Sequence, residues 1–177
     1  VFLCLQPVID MQLSEFITRE SILPNLLSTT REGVLAELVK PLLQQQPVLK
    51  SVNILAALCE REKLGSTAVG DGVAIPHCKV PVEARLSLGV GRSRAGVHFH
   101  APDKRLCHIF FVILAPENRA GQHLRLLTYI ARKAKDPVFR SEVLLSQNRE
   151  QIWQAVTAPE AVYPMYESFR PERKLSP

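Results

Sequence analysis

The sequence predicts a single α/β domain, on three observations. Ile109-Phe110-Phe111-Val112-Ile113-Leu114 is an unbroken apolar run of strand length, suited to a central strand covered on both faces. Apolar residues at helical spacing precede and follow it. No internal repeat or interdomain linker divides the 177 residues, which are enough for one full core. The domain is expected over residues 13–157, with 1–12 as an N-terminal extension and 158–177 as a C-terminal tail. Met11 is the expected natural start.

In chain order, Thr29 with Glu32 three residues later reads as a capping box, followed by Val34, Leu35, Leu38 and Leu42 at helical spacing. Pro41 inside that pattern is expected to kink or end the helix. Ser51 is placed to cap a second helix whose stripe is Ile54, Leu55 and Leu58, ending near Lys63–Gly65. Gly65 to Gly72 is small and turn-rich. It leads into a short buried strand, Val73-Ala74-Ile75, which Pro76 stops, so that His77 is expected in a loop. Leu86, Leu88 and Val90 alternate as a strand would, and Val97 with Phe99 predicts another short one. After the central run, a helix from about Gly121 carries Leu124, Leu127, Ile130, Ala131 and Ala134 as its stripe. Asp136 is placed to cap a helix through Val138, Val143 and Leu144, and Asn148 one containing Ile152, Trp153 and Val156. In the tail, Tyr163, Tyr166 and Phe169 could dock on the domain.

Composition leaves several function classes without support. With 46% hydrophobic and 22% charged residues the chain is an ordinary globular one. No apolar run reaches the roughly 20 residues that span a bilayer, and the short apolar stretch Val1–Ile9 lacks the basic leader of a signal peptide. The formal charge is +5, but the basic residues are scattered. Arg92 with Arg94, Lys104 with Arg105, and Arg132 to Lys135 are the densest groups. None makes the aromatic-laced stripe of a nucleic-acid surface, and they read as solvated faces or as a docking face for an acidic or phosphorylated partner. Cys4, Cys59, Cys78 and Cys107 form no CxxC pair and no dense disulfide framework, which fits a reducing cytoplasm.

Among five histidines, His77 has the most distinctive setting. A glycine-rich turn lets backbone approach a bulky anion, and Pro76 stiffens the preceding bond. A neutral imidazole is a good nucleophile near pH 7, and its phosphoramidate is labile enough to pass a phosphoryl group onward. His123 heads the stripe 123, 127, 130, 134 in the first turn of its helix, where the dipole favours a neutral ring and attracts phosphate. From these residues alone a core-edge histidine bonded to backbone is the favoured reading. Arg61 either ends its helix in solvent, paired with Glu60 or Glu62, or grips phosphoryl oxygens with its planar fork.

Arg61-Glu62-Lys63-Leu64-Gly65-Ser66-Thr67-Ala68-Val69-Gly70-Asp71-Gly72-Val73-Ala74-Ile75-Pro76-His77-Cys78-Lys79 resembles the signature of enzyme IIA domains of the phosphoenolpyruvate-dependent phosphotransferase system. The branch it resembles is type-2 EIIA, the fructose/mannitol and nitrogen-regulatory one. Element order, Ala115-Pro116 and His123-Leu124-Arg125-Leu126-Leu127 extend the resemblance across about Leu13–Val156. It implies a mixed β-sheet flanked by helices on both faces. It further implies that His77 accepts phosphoryl from a phosphohistidine on an HPr-like phosphocarrier. His123 would be the second active-site histidine, Arg61, Ser66 and Thr67 would bind phosphate, and Lys79 would meet the carrier. No metal or organic cofactor is implied. Downstream, the resemblance implies a nitrogen-regulatory EIIA acting on target proteins or a sugar-transport EIIA passing phosphate to an EIIB domain. A binding module that has lost transfer is a third reading.

Two positions depart from the family pattern. Cys78 stands where a small residue, most often glycine, is usual; it faces either the docking surface or the core. His98-Phe99-His100 replaces a typically acidic stretch. Two histidines two apart share a strand face, so zinc with Cys107-His108 nearby is a minor reading beside solvated histidines.

Overall fold

The computed structural model describes residues 11–159. Tyr163, Tyr166 and Phe169 lie outside the described residues. Among the described residues six strands form one mixed sheet: β1 (Ile17–Leu23), β2 (Ala68–Gly70), β3 (Val73–Ala74), β4 (His77–Val80), β5 (Ser87–Val97) and β6 (Cys107–Pro116). The order is β1-β5-β6-β3-β2, with β4 also paired to β6. β5 runs antiparallel to β6, whereas β3 and β4 run parallel to it, one after the other. Among the described residues five α-helices cover the sheet: α1 (Arg31–Gln45), α2 (Ile54–Lys63), α3 (Ala120–Lys133), α4 (Pro137–Leu145) and α5 (Arg149–Thr157).

The apolar run of β6 is central because both its faces are needed. Ile109, Phe111 and Ile113 pack under α3, α4 and α5 with Leu126, Ile130, Val143 and Ile152. Phe110, Val112 and Leu114 pack on the opposite side with Leu35, Leu38, Leu42 and Leu58 of α1 and α2. Each such side chain contributes about 1.5–3 kcal/mol on full burial. Gly91 of β5 is small for the same reason: a Cβ there would meet Leu38 Cδ2 at 2.7 Å.

Several local expectations shift. The cap of α1 is Thr30, whose hydroxyl accepts from the Gly33 amide, rather than Thr29, and Glu32 closes no box. Instead Glu37 reaches back to the amides of Leu27 and Ser28. Pro41 does not end α1, which continues to Gln45 with Pro41 buried. Asn53, not Ser51, caps α2; Ser51 closes a short 3-10 turn instead. Asp136 and Asn148 cap α4 and α5 as expected. Leu124, Val138 and Leu144 are exposed, because the buried faces run through Leu126, Tyr129 and Ile130 in α3 and through Phe139 and Val143 in α4. Val97 ends β5 rather than starting another strand, and Phe99 is buried beyond it. β1 was not legible: its burial alternates poorly, and its register with β5 slips between Ile17 and Ile22.

His77 is not in a loop. Pro76 has no N–H, so the ladder with β6 is interrupted only briefly. The Pro76 carbonyl accepts from the Ile113 amide at 2.9 Å, and pairing resumes at His77 opposite Ile113.

Candidate functional site

The interruption at Pro76 frees backbone groups that build the site. The Ile75 amide turns away from β6 and donates to the Thr67 carbonyl at 3.0 Å. The Ile75 carbonyl lies 2.9 Å from His77 Nδ1. A carbonyl can only accept, so Nδ1 carries the proton and the lone pair of the neutral ring is on Nε2. Arg61, in the last turn of α2, donates its Nε–H to that nitrogen at 3.3 Å.

Arg61 is available because neither neighbouring carboxylate holds it. Glu60 pairs with Lys63. Glu62 is 3% exposed and receives the Thr67 amide and hydroxyl. The second arm of Arg61 donates to the Gly65 carbonyl at 2.9 Å, which fixes the guanidinium over His77. The paired-in-solvent reading of Arg61 therefore fails.

The ring of His123, in the first turn of α3, stands edge-on to that of His77, with centroids 5.3 Å apart and planes at 61°. Its Nε2 is buried and has no hydrogen-bond partner among the described residues. Burial lowers the pKa of both rings. For His77 the Ile75 carbonyl opposes this, Arg61 adds to it and Glu62 opposes it; for His123, His77 and Lys79 add to it. Two neutral imidazoles beside a guanidinium line an open cleft of about 460 Å³, which Glu60, Leu64, Cys78 and Lys79 also border.

Ser66 and Thr67 do not present side chains to this cleft. The Ser66 hydroxyl donates to the Phe99 carbonyl, and that of Thr67 to buried Glu62. Their contribution is indirect, through the turn and through the Thr67 carbonyl that orients Ile75. Sequence reasoning missed the part played by Glu62; the available signal was a carboxylate three residues before the glycine-rich turn.

Cys78 alternates with His77 along β4 and joins the core under α2, where burial pushes its thiol up to about 12. In the native protein at neutral pH, a small thiol reagent is expected to leave Cys78 unmodified and to label it only after unfolding. Mapping modified cysteines by mass spectrometry checks this, and native labelling as fast as at half-buried Cys59 contradicts it. His98 and His100 are exposed beyond β5. Cys107 is fully buried, and His108 is tied through Nδ1 to the Ser93 carbonyl at 2.9 Å. No group of three His, Cys, Asp or Glu side chains that could hold a metal forms among the described residues. Arg92 is 2% exposed, not part of a solvated face.

Residues 15–158 match the family described as "Phosphoenolpyruvate-dependent sugar phosphotransferase system, EIIA 2". The chain is 31% identical to a nitrogen regulatory protein of Bradyrhizobium diazoefficiens, over 85% of this chain and 98% of that protein. It is 28% identical to the fructose-specific EIIABC component of the phosphotransferase system of Bacillus subtilis, over 80% of this chain and 22% of that longer protein. The solved structure of nitrogen regulatory protein IIA-Ntr from Neisseria meningitidis superposes with a TM-score of 0.76 at 27% identity, covering 83% of this chain and all of that one.

Proposed function

The chain belongs to the EIIA 2 family of the phosphoenolpyruvate-dependent sugar phosphotransferase system, and from that premise we propose that it is a phosphocarrier whose acceptor is Nε2 of His77. The observation that carries this reading is the hydrogen bond of Nδ1 to the Ile75 carbonyl, which leaves Nε2 as the nucleophile facing the cleft.

The step is an in-line transfer from a phosphohistidine of an HPr-like carrier. The bond from phosphorus to the carrier's ring nitrogen breaks as the bond to His77 Nε2 forms. The carrier ring, protonated on its other nitrogen, leaves as neutral imidazole. His77 becomes the protonated phosphoramidate, and its Nδ1–H keeps donating to the Ile75 carbonyl, which stabilises the new positive charge. Arg61 moves from Nε2 to the transferred oxygens, and the unpartnered Nε2 of His123 is placed to donate to another if protonated there. Little covalent chemistry beyond the nucleophile is needed. Lys79, exposed two residues along β4 from His77, borders the cleft where the carrier docks.

The downstream role is regulatory: phosphorylation state controls contacts with target proteins in the cytoplasm. The similarity to a nitrogen regulatory protein over nearly that protein's whole length supports this. The fructose-specific relative favours a second reading, in which phosphate passes to an EIIB domain. Among the described residues no helix is long and apolar enough to cross a membrane.

The test is to phosphorylate the protein with a phospho-HPr-type carrier, assign the phosphohistidine isomer by NMR, and chase it with purified EIIB domains. Phosphate on Nε2 of His77, retained in the presence of EIIB, is the expected result. Phosphate on Nδ1 or on another residue overturns the acceptor assignment. Rapid loss to a sugar-type EIIB overturns the regulatory role in favour of transport.

A further inference from the structure

We propose that the cavity between β5, the start of β6 and the turn after α4 is a second ligand site, one that takes a small organic phosphate between Arg92 and Arg94. The proposal does not rest on the role of His77. Arg92 pairs with Ile109 and His77 with Ile113, so the two sites sit at different ends of β6, separated along it by roughly 13 Å at about 3.3 Å per residue.

The cavity measures about 300 Å³, and no carboxylate lines it. Its floor is Arg92, a buried cation with no carboxylate within salt-bridge distance among the described residues. Part of that guanidinium has a structural task. Its Nε donates to the Pro24 carbonyl at 2.9 Å, and its Nη1 to the carbonyls of Val143, Leu144 and Ser146 at the end of α4. Carbonyls orient the group but do not neutralise it. Its Nη2 has no hydrogen-bond partner among the described residues.

Arg94 lies two residues further along β5, borders the same cavity and is exposed. The two like charges are close enough that Arg94, after burial itself, lowers the pKa of Arg92. Placing two guanidinium groups together, one of them buried, is unfavourable unless an anion is shared between them. The fork of each suits phosphate oxygens.

His108 closes a third side. Its Nδ1 is held by the Ser93 carbonyl, and the ring lies against Gly96, at a φ of +77°, where a Cβ would come within 2.6 Å of it. Leu144 and Leu145, both exposed, form an apolar wall. Cationic groups on one side and an apolar wall on the other suit a phosphate bearing a short carbon chain. The volume equals roughly ten waters at about 30 Å³ each, which fits a three-carbon compound.

The experiment is a titration of the full ¹⁵N-labelled chain with glycerol 3-phosphate at constant ionic strength, with inorganic phosphate and glycerol in parallel. Saturable shifts at Ser93, Arg94, Gly96, Ser146 and Gln147 are expected, weaker with inorganic phosphate and absent with glycerol. Signals from residues 75–80 report the His77 cleft separately. Arg94→Gln is expected to weaken the binding at least tenfold; it is preferred to an Arg92 variant, which would also uncap α4. Shifts confined to the His77 cleft, linear unsaturated shifts, or an affinity unchanged in Arg94→Gln would each overturn the proposal. Equal binding of inorganic phosphate would overturn the organic part of the assignment.

Discussion

Replacing His77 with alanine is expected to reduce phosphoryl acceptance from about one group per chain to background, because among the described residues it is the one imidazole bordering the cleft whose lone pair is oriented by a backbone hydrogen bond. His123 is the only other imidazole bordering the cleft, and its Nε2 is buried. The fold should survive, since His77 is only half-buried at the edge of the cleft, and circular dichroism would verify that. Acid-labile phosphate after incubation with phosphorylated carrier is the measurement; incorporation near the unmodified level contradicts the assignment. In the unmodified protein, burial holds the His77 pKa below the ordinary histidine value of 6.5. The neutral nucleophile therefore persists as pH falls through that value, and acceptance should decline only in more acid solution. The same lowered pKa means that the unfolded chain binds the proton first, so this group's contribution to stability is present above pH 6.5 and is lost as pH falls below it.

His123→Ala is expected to slow transfer by about 10²-fold while leaving His77 as the site of phosphorylation, the loss typical for removing one oriented donor from a transition state. On the proposed reading its ring does not receive the group; it stands edge-on to His77 at 5.3 Å with a buried nitrogen that has no hydrogen-bond partner among the described residues. A rapid-quench time course in both directions distinguishes this from a packing role. A merely structural histidine would change stability and leave the rates per folded molecule unaltered. Unchanged forward and reverse rates would remove His123 from the machinery.

Much of the site was legible from local chemistry. His77 stood out because a glycine-rich turn and Pro76 precede it, and β6 because six consecutive apolar residues can be covered only from two sides. Asp136 and Asn148 were readable as caps, since a cap needs only a short polar side chain within three residues of the amides it serves. Choosing between Thr29 and Thr30 needed the entry direction of the chain, which Glu37 sets by holding Leu27 and Ser28.

The sequence by itself picked out the candidate nucleophile, the central strand and the covering helices, because each is encoded within a few neighbouring residues. Tertiary structure alone decided how these act together. Strands of two to four residues, such as β3 and β4, are too short to show a period, and only pairing with β6 defines them. The tautomer of His77 depends on which way the Ile75 carbonyl turns, and that follows from a bond to Thr67 eight residues away. Arg61 reaches His77 because Glu62 is buried on Thr67 and Glu60 is taken by Lys63. Cys78 faces the core because β4 resumes pairing one residue before it. Arg92 looks like any surface arginine in the sequence; its burial exists only because the end of α4 folds over β5. Pairings between residues far apart in the chain leave no periodic trace, so their consequences appear only when the chain is folded.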